Sequence, residues 1–76
     1  MFIIHEYQTD LNGNTAIVPP VTKPTLNEAK SVYYSIKAAA AISSVPYHTA
    51  MICYHNGNLI ESECFEHLPE EAEETV

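Results

Sequence analysis

The sequence predicts an α+β fold in the order β-β-α-β-β: a four-stranded antiparallel sheet with one helix packed on one face. Three observations predict it. The stretch from Thr25 to Ser44 has helical periodicity, and the segments on either side of it are rich in β-branched and aromatic residues. Asn12-Gly13 divides the first of these segments and Asn56-Gly57 the second, and Asn-Gly between apolar runs indicates a hairpin. One helix on one sheet is the natural packing of these elements.

The first two strands are predicted at residues 2–8 and 15–18, joined by a tight turn in which Asn12 and Gly13 both adopt positive φ. Pro19 and Pro20 should end the second strand, so that residues 19–24 form a stiff connection to the helix.

The helix should begin at Thr25, because Thr25 and Glu28 have the spacing of a capping box and Pro24 cannot extend the helix backwards. The Val45-Pro46 pair should end it. The predicted apolar stripe contains Ala29, Val32, Tyr33, Ile36, Ala39, Ala40 and Ser43. The opposite side should hold Lys30, Tyr34, Lys37 and Ala41. Tyr33 is therefore expected in the core and Tyr34 at the surface.

The third and fourth strands are predicted at residues 47–54 and 59–65. The third is apolar on both faces, as in a central strand. In the fourth, Glu61 and Glu63 alternate with Ile60 and Cys64, so one face should meet solvent. Residues 1–67 should form one domain, followed by an acidic, flexible tail at residues 68–76.

The formal charge of −7, from ten acidic residues against three lysines and no arginine, excludes direct nucleic-acid binding as a favoured function. Such a charge fits a basic partner, or simply a soluble surface. The sequence shows neither a bilayer-spanning apolar run nor a signal peptide. We therefore expect a soluble cytoplasmic protein that does not bind membranes.

Four stretches carry a resemblance to known proteins. They are YQTDLNGNTA, the helix start at residues 25–29, AAAAISSVPYHTAMI and ESECFEH. Together they resemble a family of small uncharacterised proteins encoded by phages, prophages and plasmids of Firmicutes, over residues 7–67. The resemblance implies a mobile-element accessory protein, and such small non-enzymatic proteins often antagonise host defence. It includes no catalytic motif, so it implies no site residues.

The best candidate for a metal site is the set Cys53, His55, Cys64 and His67, because thiolate and imidazole ligands suit zinc. The spacing is unfavourable, since Cys53 should lie opposite Ile60 and there is no C-x-x-C. We therefore interpret both cysteines as buried free thiols, with no metal and no cofactor. Either cysteine beside His48 could form a nucleophile and base, but no strained nucleophile turn is present, and we expect no enzyme.

The favoured hypothesis is a non-catalytic inhibitor of a host defence protein, similar to an anti-CRISPR, that binds through an acidic surface. That surface would consist of Glu61, Glu63, Glu66, Glu70 and Glu71. The alternative is a homo-oligomeric sponge that sequesters a small nucleotide signal in pockets between subunits. Its ligand-binding residues would be Lys30, Tyr34, Lys37 and His48. In either case we expect a homodimer, because one helix leaves the second sheet face uncovered.

Overall fold

The fold was established from a computed structural model, which describes residues 1–68. Its elements are β1 (Phe2–Thr9), β2 (Thr15–Lys23), α1 (Leu26–Ala41), β3 (Tyr47–Tyr54) and β4 (Leu59–Glu66). The strands form one sheet in the order β2-β1-β3-β4, and every pairing is antiparallel. The predicted α+β fold is therefore confirmed. The predicted flexible tail, apart from Leu68, lies outside the described residues.

Each hairpin turns through a three-residue loop. In the first, Asp10 N–H donates to the carbonyl of Asn14 at 3.0 Å, and Gly13 N–H donates to the carbonyl of Asp10 at 3.1 Å. Tyr54, Gly57 and Asn58 repeat this pattern in the second. Within residues 1–68 only the two glycines have positive φ, 88° and 94°. The prediction of positive φ at Asn12 is wrong, because a three-residue loop requires it only at its last position.

Pro19 and Pro20 lie within β2 and do not end it, so the predicted connection over residues 19–24 is wrong. They stand opposite His5, where the register of β1 and β2 shifts: Ile4 pairs with Val21, whereas Glu6 pairs with Val18. Proline cannot donate a ladder hydrogen bond, but a bulge in an edge strand does not require one. The strand therefore continues to the residue before Pro24.

The helix begins as predicted. Thr25 is the N-cap, and its hydroxyl accepts a hydrogen bond from the N–H of Glu28 at 3.2 Å. The return bond from the Glu28 carboxylate to the N–H of Thr25 is not formed among the described residues. At the other end Ile42 is the C-cap, and its N–H donates to the carbonyl of Ala39 at 3.3 Å.

One sheet face packs against α1. The buried cluster consists of Ile4, Ala29, Tyr33, Ala50 and Ile52, with Phe2, Val32 and Ile36 packed against it. Tyr33 is fully buried and Tyr34 is 50% exposed, which confirms both predictions. Ala39, predicted in the apolar stripe, is exposed, because the helix meets the sheet along a narrower line that ends at Ala40.

β3 is an interior strand, as its apolar character predicts. Its residues 48, 50 and 52 share the helix side of the sheet with the core, and residues 47, 49, 51 and 53 lie on the other side. The register then assigns a side to every residue of the neighbouring strands. In the described part of the chain, α1 is too short and too polar to cross a bilayer.

Candidate functional site

The acidic residues of β4 lie on an edge strand of the sheet. Glu61 is in register with Ile52 and Glu63 with Ala50, so both lie on the helix side. Glu66 is in register with Tyr47 and lies on the opposite side. Glu63 and Glu66 are exposed, and Glu61 is half-buried. An edge strand leaves one row of its backbone N–H and C=O groups outside the ladder, so this edge offers both carboxylates and backbone groups.

The net formal charge of the chain comes from its C-terminal end. In residues 1–60 three carboxylates, Glu6, Asp10 and Glu28, balance the three lysines. Residues 61–76 contain the other seven carboxylates and no lysine, so they account for the entire −7. Three of the seven belong to β4. Glu70 and Glu71, which were predicted to extend the acidic surface, lie outside the described residues.

One β4 carboxylate is engaged by the helix. Lys37 Nζ lies 2.9 Å from Glu63 Oε1, and it also lies over the rings of Tyr33 and Tyr34, 5.3 and 5.8 Å from their centroids. The hydrogen bond to Glu63 raises the pKa of Lys37. Lys37 was predicted on the helix side opposite the apolar stripe, but it lies beside that stripe and reaches β4. Within residues 1–68, Glu61 and Glu66 have no lysine partner.

The four residues proposed for nucleotide binding are not brought together as one site. Lys37 forms a salt bridge with Glu63, and Tyr34 is exposed on the helix. His48 is only 4% exposed, on the sheet face that α1 covers. With so little of its surface exposed, His48 offers almost no access to a phosphate.

A polar pair between the buried His48 and the half-buried Glu6 was missed by the sequence reasoning. His48 Nε2 lies 2.5 Å from Glu6 Oε2, and Gln8 Nε2 donates to the same oxygen at 3.1 Å. Among residues 1–68, His48 Nδ1 has no hydrogen-bond partner. The signal was present in β3, where His48 is spaced by two and four residues from Ala50 and Ile52 and therefore lies on the same side of the sheet as these core residues. Its partner was not predictable, because Glu6 depends on the β1–β3 register.

The cysteines and histidines do not form the metal site weighed from the sequence. Cys53 pairs with Leu59 rather than Ile60, because the register shifts by one residue there. Cys53 is buried but Cys64 is exposed, so the prediction of two buried thiols is wrong for Cys64. His67 Nε2 lies 2.7 Å from the carbonyl oxygen of Ala40. No cluster of three potential ligands occurs in residues 1–68.

The nucleophile and base weighed from the sequence are separated by the sheet. His48 lies on the helix side, whereas Cys53 and Cys64 lie on the other side, as their register with Leu59 and Thr49 shows. The imidazole of His48 therefore cannot activate either thiol in this structure.

A shallow cleft of about 340 Å³ lies between the first hairpin and the connection from α1 to β3. Its polar groups already serve the hairpin: the Asp10 carboxylate accepts from the N–H groups of Asn12 and Asn14, each at 2.9 Å. The hydrogen bond from the Asn14 backbone is the main cause that lowers the pKa of Asp10. The cleft is lined by Gln8, Thr9, Asp10, Asn14, Thr15, Ala16, Val45 and Pro46.

No protein-family model, curated protein or solved structure matches this chain. Functional inference therefore depends on the geometry of the chain itself. Of the sites weighed above, the acidic β4 edge has the strongest charge asymmetry and the greatest exposure.

Proposed function

We propose that this chain is a small non-catalytic accessory protein of a phage or another mobile element, and that it inhibits a host defence protein by binding it through an acidic surface. The observation that supports this most is the confinement of the whole formal charge to residues 61–76. A one-sided charge of this size favours encounter with a basic surface and disfavours acidic partners. Proteins that handle nucleic acid present such basic surfaces.

The β4 edge fits this role because a strand holds its side chains in a fixed arrangement. Glu61 and Glu63 lie on one side and Glu66 on the other, so carboxylates flank the edge on both sides. A partner that meets the edge would encounter both. The lysine bound to Glu63 reduces the charge there, so Glu61 and Glu66 should contribute more to binding.

The test is capture of partners from the bacterial host with the full chain as bait, comparing the wild type with a Glu61→Gln, Glu63→Gln, Glu66→Gln triple variant. Glu28→Gln, an exposed carboxylate at the start of α1, is the matched control. We expect a basic partner that binds the wild type and the control, is released by salt and is lost with the triple variant.

The captured partner should then be purified and its activity measured with and without this protein. Inhibition by the wild type and the control, but not by the triple variant, would support the proposal. A partner that binds the triple variant as tightly as the wild type would refute the assignment of the acidic edge.

The alternative, a sponge for a nucleotide signal, has less support because Lys37 and His48 are already engaged. It is tested by melting the protein in the presence of cyclic and linear nucleotides, since a ligand that binds only the folded state raises the melting temperature. A concentration-dependent rise with one nucleotide would favour the sponge over the inhibitor.

A further inference from the structure

The sheet face that α1 does not cover carries fewer charged residues than the face that α1 covers. The strands contain five charged residues. Glu6, Lys23, Glu61 and Glu63 all lie on the helix side, because they are in register with core positions or with Phe2. Only Glu66 lies on the uncovered side. A sheet face that meets water normally carries the polar residues. The near absence of charge on this face is therefore typical of a face that is covered.

We call this uncovered surface the open face. Its central residues come from β1 and β3. Half-buried side chains make up most of this centre, and Cys53 is buried beside them; the half-buried residues are Ile3, His5, Tyr7, Thr49 and Met51. The rings of His5 and Tyr7 stack with their centroids 6.0 Å apart. Ile17 of β2 and Leu59 of β4 flank this centre and are 65% and 57% exposed. The open face is therefore uncharged at its centre and carries apolar and aromatic side chains, with the neutral polar residues Thr22, Thr49 and Ser62 among them.

We propose that a second copy of this chain covers the open face, so that two sheets pack face to face. Four strands spaced about 4.8 Å apart, each of eight residues rising about 3.3 Å, give about 500 Å² for each copy and about 1,000 Å² for the pair. That is the minimum, about 1,000 Å², expected of a specific interface. Two such sheets pack about 10 Å apart with interdigitating side chains.

Charge favours a second copy at this face over pairing at the sheet edges. Each chain carries −7, yet two open faces can meet with little like-charge repulsion, because Glu66, at the end of β4, is the one charged strand residue on this face. Edge pairing is disfavoured at both ends of the sheet. Pro19 and Pro20 interrupt the donors of β2, and two copies of β4 would place glutamates side by side.

This dimer is independent of the proposed inhibitory function. It leaves Glu61 and Glu63 on the helix side of β4 available, so a dimer would present two such pairs of carboxylates. Neutralising Glu61 and Glu63, which lie on the helix side, should weaken partner binding and leave the dimer unchanged, which keeps failure of one proposal distinct from failure of the other.

The experiment is sedimentation equilibrium of the full chain at micromolar concentration, where we expect the mass of two chains. Met51→Glu places a charge at the centre of the open face and should give the mass of one chain. Tyr34→Glu is the matched control, since Tyr34 is exposed on α1, and it should remain a dimer. A wild type that sediments as a single chain would overturn the proposal, and so would a Met51→Glu variant that folds and still sediments as a dimer.

A second measurement decides the matter if Met51→Glu does not fold. Cys64 is exposed on the open face, in register with Thr49. Its alkylation rate in the wild-type protein, followed by mass spectrometry, should fall as protein concentration rises through the dimerisation range. A cysteine introduced on the helix by Tyr34→Cys should react at a constant rate. Concentration-independent alkylation of Cys64 would overturn the proposal.

Discussion

Removing the hydroxyl group of Tyr33 should stabilise this protein. The side chain is fully buried between α1 and the sheet. Among residues 1–68, its hydroxyl group has no hydrogen-bond partner. In the unfolded chain that hydroxyl is bonded to water, so folding removes a hydrogen bond and supplies none. Tyr33→Phe deletes this unfavourable contribution and keeps the ring that packs in the core.

The size of the effect follows from the cost of an unsatisfied buried polar group, about 1–3 kcal/mol. Taking the lower end, because Lys37 lies near the ring, we expect Tyr33→Phe to raise the free energy of unfolding by about 1 kcal/mol at pH 7. For a domain of this size that corresponds to about 4–8 °C in melting temperature. Tyr34→Phe is the control: this ring is half-exposed, so its free energy of unfolding should change by less than about 0.5 kcal/mol.

The effect should grow at high pH. Burial raises the pKa of Tyr33 above its usual value of 10.0; Glu61 and Glu63 raise it further, and Lys37 opposes the shift. Above pH 10 the unfolded state loses the tyrosine proton more readily than the folded state, so the wild type loses stability as pH rises through the raised pKa. Tyr33→Phe cannot lose that proton. The difference in stability between variant and wild type should therefore widen above pH 10.

The assay is urea denaturation of the wild type, Tyr33→Phe and Tyr34→Phe, at pH 7 and at several values above pH 10. A variant that is less stable than the wild type by 1 kcal/mol or more at pH 7 would show that the hydroxyl makes a favourable bond. A difference that stays constant above pH 10 would show that Tyr33 is not shielded from solvent in the folded state.

Three further predictions concern the local signals and the cysteines. Thr25→Ala should lower the free energy of unfolding by about 1 kcal/mol, because it removes the cap of α1; Thr25→Ser should retain it, and an unchanged urea midpoint for Thr25→Ala would disprove the cap. Gly13→Ala and Gly57→Ala should each cost about 1–2 kcal/mol, because φ is positive there while a new Cβ meets no atom within 4 Å; equal thermal stability would contradict this. EDTA should leave the melting curve unchanged and metal analysis should find less than one zinc per chain; a large loss of stability on chelation would show that Cys53 or Cys64 binds a structural metal.

The elements that sequence reasoning predicted correctly depend on short-range signals. The cap at Thr25 needs only the N–H three residues later, and β3 was predicted with its observed ends because an apolar run between Pro46 and an Asn-Gly turn is a local pattern. β2 was predicted too short for a reason that is not local. Pro19 and Pro20 are tolerated because β2 is an edge strand with a bulge opposite His5, and neither property can be read from residues near the prolines.

The sequence by itself determined the order and type of the elements, the two hairpin positions and the concentration of carboxylates near the C-terminus, because each depends on composition or on neighbours within a few residues. Only the tertiary structure decided the strand order β2-β1-β3-β4 and the side of the sheet that α1 covers. Those two facts place β4 at an edge, bring Glu6 to His48, and leave Met51 on an open face that lacks charge at its centre. They depend on pairing between distant strands, whose register is set by burial of the whole sheet rather than by any one segment.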